Sequence, residues 1–333
     1  MLKQSSLSFL RENKNLLAFS AGVDSTALLF LLHQNNIKFD IAIVNYGVRE
    51  QSKEEVAYAQ SLAMKYNFTC HTLDAQKITQ NFEAKARAIR YDFFEELIKE
   101  YHYTNLITAH HLGDRFEWML MQFCKGAGCI ELSGMKEIQN RENFTLMRPL
   151  LHLDKSELLK YLQSQQIQYF EDETNFDESI KRNLFRHQHT QPLLEKHLRG
   201  IKKSFEYIDE DVDTLRQEIK ISQINNLAYF KSSHNKRTDI FTIDKYLKQN
   251  HYLASAGERE QLKSTKTLVV GRKFIVTQEN NFVFILPYEK EVEKISKEFK
   301  EECRLLKIEP KLRPYLYQNP EIFLKVKLLL TRV

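Results

Sequence analysis

Residues 19–26 read FSAGVDST and lie between the apolar run LLAF at 16–19 and ALLFLL at 27–32. Hydroxyls, a glycine and one carboxylate therefore fall where a buried strand gives way to a buried helix. A helix starting there points unpaired amide N–H groups and the positive end of its dipole at the carboxyl edge of a sheet, where doubly wound folds bind ligands. Phosphate belongs at such a place. Ala21 and Gly22 carry too little side chain to block the backbone's approach, and Ser20 and Ser25 offer hydroxyl donors. Gly22 is expected to supply the positive φ such loops need, leaving Ala21 in an ordinary conformation. Asp24 is the informative residue, because a carboxylate beside phosphate oxygens is repulsive unless a divalent cation such as Mg²⁺ sits between them. The plainer reading is that Asp24 or Ser20 only caps the helix. The stretch is neither a Walker A loop nor a Gly-x-Gly-x-x-Gly fingerprint, which excludes simple kinases, GTPases and dehydrogenases.

Working outward, short apolar runs at 16–19, 41–45, 69–73 and 105–109 alternate with helical patterns at 25–34, 53–66, 82–101 and 114–124. This alternation predicts an α/β fold, a doubly wound parallel sheet with helices on both faces. Asp154 with Glu157 marks a further helix start. The stretch 180–219 reads as helical, broken at Pro192 and jointed at Gly200. The expected organisation is a catalytic domain over 1–200, a linking helix over 201–220 and a smaller α+β domain over 221–333. In that last part, polar helices are expected at about 210–265, then a β-hairpin turning at Asn280 and Asn281, then a charged helix over 289–302.

The chain has 333 residues, enough for two domains, and 49 lysines and arginines against 44 acids. A net charge of +5 leaves contact with a polyanion to local clusters. From Lys181 to Lys203 seven basic residues face one acid, Glu195, with Phe185 available to stack on a base. A second basic cluster holds Lys311, Arg313, Lys325, Lys327 and Arg332. Neither a secretory leader nor a membrane span is legible, so a cytoplasmic protein without membrane contact is expected. Cys70, Cys124, Cys129 and Cys303 form no Cys-x-x-Cys pair and are expected reduced.

SAGVDS resembles the Ser-Gly-Gly-x-Asp-Ser loop of the N-type ATP pyrophosphatases, with Ala21 in place of a glycine. Several segments in order sharpen the likeness: VNYGVRE (44–50), EAKARAIRYDFF (83–94), TAHHLGDRFEWMLMQFCKGAGCIELSGM (108–135), RPLL (148–151), EDETNFD (171–177) and RNLFR (182–186). Together they resemble the tRNA(Ile)-lysidine synthetase family over about residues 16–195. The resemblance implies an ATP site formed by Ser20, Ala21, Gly22, Val23, Asp24, Ser25, Asn45 and His110, with Asp24 holding Mg²⁺. It also implies a lysine site at Asp114, Glu117 and Arg87, with Asp24, Asp114 and Arg87 carrying the chemistry. Arg90, Arg182, Asn183 and Arg186 would meet the tRNA. The family usually has a second aspartate where this chain has Gly113.

The reaction implied is adenylation by ATP of the C2 oxygen of the wobble cytidine in a CAU-anticodon tRNA(Ile), then attack by L-lysine. On spacing alone, Asp114 and Glu117 share a helix face suited to gripping an ammonium group, or are simply acids in a first helical turn. Arg87 and Arg90 also share a face, for phosphates or a substrate carboxylate, or as ordinary surface arginines. Two other functions fit the same features: tRNA thiolation, or a nucleotide- and RNA-binding module without catalysis. The sequence leaves oligomeric state open, a homodimer included.

Overall fold

The computed structural model describes residues 1–47, 51–76, 78, 80–171, 181–215, 219–289 and 295–331. The motif residues 48–50 and 172–177, and Arg332, lie outside the described residues. The chain divides into two compact units, Met1–Leu215 and Arg216–Val333.

In the first unit the sheet runs β3-β2-β1-β4-β6-β5. Its strands are β1 (Asn15–Ala18), β2 (Phe39–Asn45), β3 (Cys70–Asp74), β4 (Asn105–Ile107), β5 (Ile138–Asn140) and β6 (Thr145–Met147). All neighbours are parallel except β5 with β6. The helices are α1 (Gln4–Arg11), α2 (Val23–Gln34), α3 (Gln51–Tyr66), α4 (Phe82–Tyr101), α5 (Leu112–Phe123), α6 (Cys129–Leu132), α7 (Lys155–Ser164), α8 (Lys181–Phe185) and α9 (Gln191–Leu215).

The strand side chains alternate between two cores, as a period of two requires. Leu17, Ile41, Ile107 and Met147 join Leu28, Leu29 and Leu32 of α2 and Leu158 and Leu162 of α7. Leu16, Ala42, Leu106 and Leu146 meet Phe93, Phe94, Leu97 and Ile98 of α4 on the other face. Because both faces are covered, β1 reads as an unbroken apolar run, and each such leucine contributes about 1.5–3 kcal/mol by leaving water. The doubly wound sheet is thus as expected. Asp154 accepts from the Ser156 N–H at 2.9 Å while Glu157 accepts from the Asp154 N–H at 2.7 Å, the reciprocal cap that its spacing implies.

Three details differ from expectation. Strands β5 and β6 carry no sequence warning, because three residues flanked by polar turns show no period. Helix α9 runs through Gly200 to Leu215, with Pro192 in its first turn where a missing N–H costs nothing, and its non-helical residue is His197 (φ −131°, ψ 21°) rather than Gly200. The unit boundary therefore falls at 215/216 rather than near 200, and the expected linking helix belongs to the first unit as far as it is described.

The second unit holds an antiparallel sheet, β7-β8-β11-β10-β9. Its elements are β7 (Ser222–Ile224), β8 (Leu227–Lys231), α10 (Lys236–Gln249), α11 (Ala256–Ser264), β9 (Thr267–Val270), β10 (Phe274–Glu279), β11 (Phe282–Pro287), α12 (Lys297–Leu305), α13 (Arg313–Gln318) and α14 (Pro320–Thr331). Glu279 pairs with Phe282, so the hairpin turns at Asn280 and Asn281 as expected. The helices expected over 210–265 are interrupted by β7 and β8, whose short apolar runs fit either period. Of the charged helix expected over 289–302, residues 290–294 lie outside the described residues, and the described helix starts at Lys297, where Ser296 caps it through the Phe299 N–H at 3.2 Å.

Candidate active site

The loop after β1 is strained at one residue. Ala21 adopts φ +56°, the left-handed region, whereas Gly22 is extended at φ −74°, ψ 170°. The expected assignment is reversed: the alanine carries the positive φ that a glycine would take at no cost. Its carbonyl accepts from the Phe170 N–H at 3.0 Å, which straps the loop in place. The Ala21→Gly variant removes about 1 kcal/mol of strain, partly offset by the greater freedom of unfolded glycine. It is expected to be neutral to slightly stabilising in chemical denaturation, with ATP turnover at least as fast; a loss above about 1 kcal/mol would contradict the strain assignment.

Gly22 is the N-cap of α2, and no side chain caps that end. Ser20 is turned instead toward Ser25, their hydroxyls 3.1 Å apart. Asp24 lies in the first turn with Oδ1 buried and without a hydrogen-bond partner, although 31% of the side chain is exposed. Burial raises its pKa from the ordinary carboxylate value, opposed by His111, Lys155 and Arg186, with Asp114 adding to the rise. A buried carboxylate oxygen without a partner is costly to ionise, and a cation or a proton would relieve that cost.

His111 connects this loop to α5. Its Nδ1 accepts from the Gly113 N–H at 3.0 Å, which places the ring proton on Nε2. Nε2 stands 3.8 Å from Asp24 Oδ2 and 3.7 Å from Asp114 Oδ2. A Cβ on Gly113 would lie 2.6 Å from His111 Cε1, so the aspartate of the family pattern would make the His111 ring shift.

Asp114 closes the N-terminus of α5 by accepting from the His111 N–H at 3.1 Å. Burial acts to raise its pKa, but His111, His110 and Arg182 together hold it well below the usual carboxylate range. Glu117, 1% exposed, lies on the same face, as the spacing predicts. Both acids are clamped by arginines. Arg182 bonds Glu117 through Nε and Asp114 at 3.2 Å, while Arg186 bonds Glu117 at 2.9 Å and stands 3.6 Å from Asp114. Arg115, bidentate to Asp209 at 2.9 and 2.5 Å and over the Phe205 ring, fixes α5 on α9.

The remaining expected residues scatter. His110 bonds Thr108 Oγ1 at 2.9 Å, and burial, with Arg148, Arg182 and Arg87, pushes its imidazole down to about 4 against the pull of Asp114. Arg87 is exposed, reaching the Tyr91 hydroxyl at 3.3 Å and lying over its ring. Arg90 is exposed and acts on Tyr46. Asn45, at the end of β2 beside β1, donates to Asp74 at 2.8 Å. Asn183 is buried. In the second unit, Lys327 is paired with Glu302 at 2.5 Å, which reduces the basic cluster expected there. Arg148 had no role in the sequence reading despite the RPLL motif, yet it is buried at the same sheet edge.

Residues 2–193 match the PP-loop domain family. The tRNA(Ile)-lysidine synthase of Helicobacter pylori strain 26695 is 42% identical, covering 92% of this chain and 90% of its own length. The chain belongs to the tRNA(Ile)-lysidine synthase family. The Campylobacter jejuni RM1221 lysidine synthase is 40% identical over 96% of this chain and 97% of that protein. In fold, the first unit's class is shared with the U34-tRNA thiolase NcsA from Methanococcus maripaludis, at TM-score 0.51 and 17% identity over 67% of this chain and 84% of that one. As a PP-loop member of the lysidine synthase family, the chain is an ATP-using ligase. Among the described residues no cluster of three His, Cys, Asp or Glu side chains stands ready for a metal, and no helix is long and apolar enough to cross a membrane.

Proposed function

We propose that this chain ligates L-lysine to C2 of the wobble cytidine of a CAU-anticodon tRNA(Ile), in the cytoplasm, through adenylation and release of pyrophosphate and AMP. The observation that carries this reading is the pair of carboxylate sites on either side of His111. Asp24 lies in the first turn after the phosphate loop, and Asp114, across His111 from it, would with Glu117 take the ammonium. An activating centre and a nucleophile centre are thereby adjacent.

Cytosine's C2 oxygen is a poor leaving group until it bears AMP. Ser20, Ser25 and the uncapped amides of α2 would hold the departing pyrophosphate. Asp24, whose Oδ1 lacks a partner, fits as the protein ligand of Mg²⁺, the remaining positions falling to phosphates and water. When bound, Mg²⁺ would offset phosphate charge. His110, neutral above about pH 4, contributes hydrogen bonding rather than charge.

Free lysine carries an ammonium of pKa about 10.4 and must lose a proton to attack. Asp114 is the proposed acceptor. His111, His110 and Arg182 hold its proton affinity low; of these the Arg182 ion pair is the one lysine would displace, and its release would raise that affinity at the moment it is needed. The freed Arg182, with Arg186, Asn183, Arg90 and the Lys181–Lys203 stretch, would meet RNA phosphates, and the second unit would seat another part of the tRNA. Incubation with ATP, labelled lysine and either CAU-anticodon tRNA(Ile) or a methionine tRNA is expected to give lysine-dependent labelling of the isoleucine tRNA only. Label transfer from a sulfur donor instead would favour thiolation, and absence of AMP would favour a binding module.

A further inference from the structure

Arg148 directly follows β6, which runs parallel to β4, so it lies at the same carboxyl edge as the start of α5. Its side chain is an unusual one to bury. Arg148 is 6% exposed, one terminal nitrogen donating to the Lys136 carbonyl at 2.8 Å and to Gln139 Oε1 at 3.1 Å. Nε has no hydrogen-bond partner, and no carboxylate pairs with the guanidinium among the described residues. Burial, with Arg141 and Arg87, pushes it down to about 10, Tyr91 acting the other way.

Arg148 has company. Arg87 leans on Tyr91, and Arg87, Arg148 and Arg182 all act on His110, opposed by Asp114. A buried, half-satisfied guanidinium beside a second one is costly unless an oxyanion completes it, and the planar fork suits a carboxylate. The phosphate loop follows β1 and Arg148 follows β6, on opposite sides of β4, after which α5 with Asp114 and Glu117 begins, and Arg148 and Asp114 both act on His110.

We propose that Arg148 receives the α-carboxylate of the amino-acid substrate, with Arg87 closing over it from α4. This rests on the lysine-ligating reading above and deepens it. The ammonium of lysine is taken by the acids after β4 and its carboxylate by the arginine after β6, so the amino acid is measured from both ends. A diamine of the same length would satisfy only one of them.

The test uses the full chain with ATP and tRNA, comparing L-lysine, lysinamide and 1,5-diaminopentane as nucleophiles for wild type, Arg148→Gln and Arg148→Lys. Arg148→Gln is expected to raise KM for lysine about 10- to 100-fold, as loss of a charged hydrogen bond does. KM for ATP and the rates with the two carboxylate-free amines should stay nearly constant, so selectivity for lysine collapses. Arg148→Lys should restore part of it, since charge returns without the fork. A proportional loss with all three amines would show a structural role, and a rise in KM for ATP alone would show a phosphate contact; either overturns the proposal. Wild type that transfers no lysine would remove the underlying reading, whereas transfer with unchanged selectivity in Arg148→Gln would overturn this inference alone.

Discussion

Replacing Asp24 with alanine is expected to lower AMP and pyrophosphate formation about 10³-fold, the scale of losing one preorganised charge at a reacting phosphate. The fold should survive, because Asp24 does not cap α2: Gly22 does, without any side-chain bond. The nucleotide-free protein should even gain stability near neutral pH. Burial raises the Asp24 pKa in the folded state, so the folded chain holds this proton to higher pH than the unfolded one. Stability tied to that proton is complete below the ordinary carboxylate pKa and is lost as pH rises through the raised one. Thermal melting against pH should show this decline in wild type and less of it in Asp24→Ala. Turnover within about tenfold of wild type would reduce Asp24 to an acid in a first helical turn.

Asp114→Asn should separate the two half-reactions. Asparagine keeps the size and an oxygen for the His111 N–H, and Glu117 still engages Arg182 and Arg186. Adenylation should proceed within a few-fold, while lysine transfer falls about 10²- to 10³-fold for want of a proton acceptor. Adenylated tRNA should then accumulate, visible as labelled AMP retained on the RNA. Normal lysine incorporation by this variant would take Asp114 out of the chemistry.

Much of this was legible beforehand because it rests on local periods. The four central strands, the helix after each and the hairpin at Asn280–Asn281 follow from apolar spacing and turn chemistry alone. Asp24, Asp114 and Glu117 could be chosen because each follows a strand that ends at one sheet edge. The positive φ of Ala21 could not be read, since the strap from Phe170 that enforces it lies far along the chain. Nor could the arginine clamp, which joins residues 65 to 69 positions apart, or the burial of Arg148, which depends on the three-residue strand before it.

The clamp also bears on what the resting protein attracts. With two guanidinium groups already laid against them, the carboxylates of Asp114 and Glu117 offer no unbalanced negative charge. Potassium ions and polyamines therefore find little there to hold them. On the proposed reading, a zwitterion with a long cationic arm would displace one arginine with its ammonium while its carboxylate meets another.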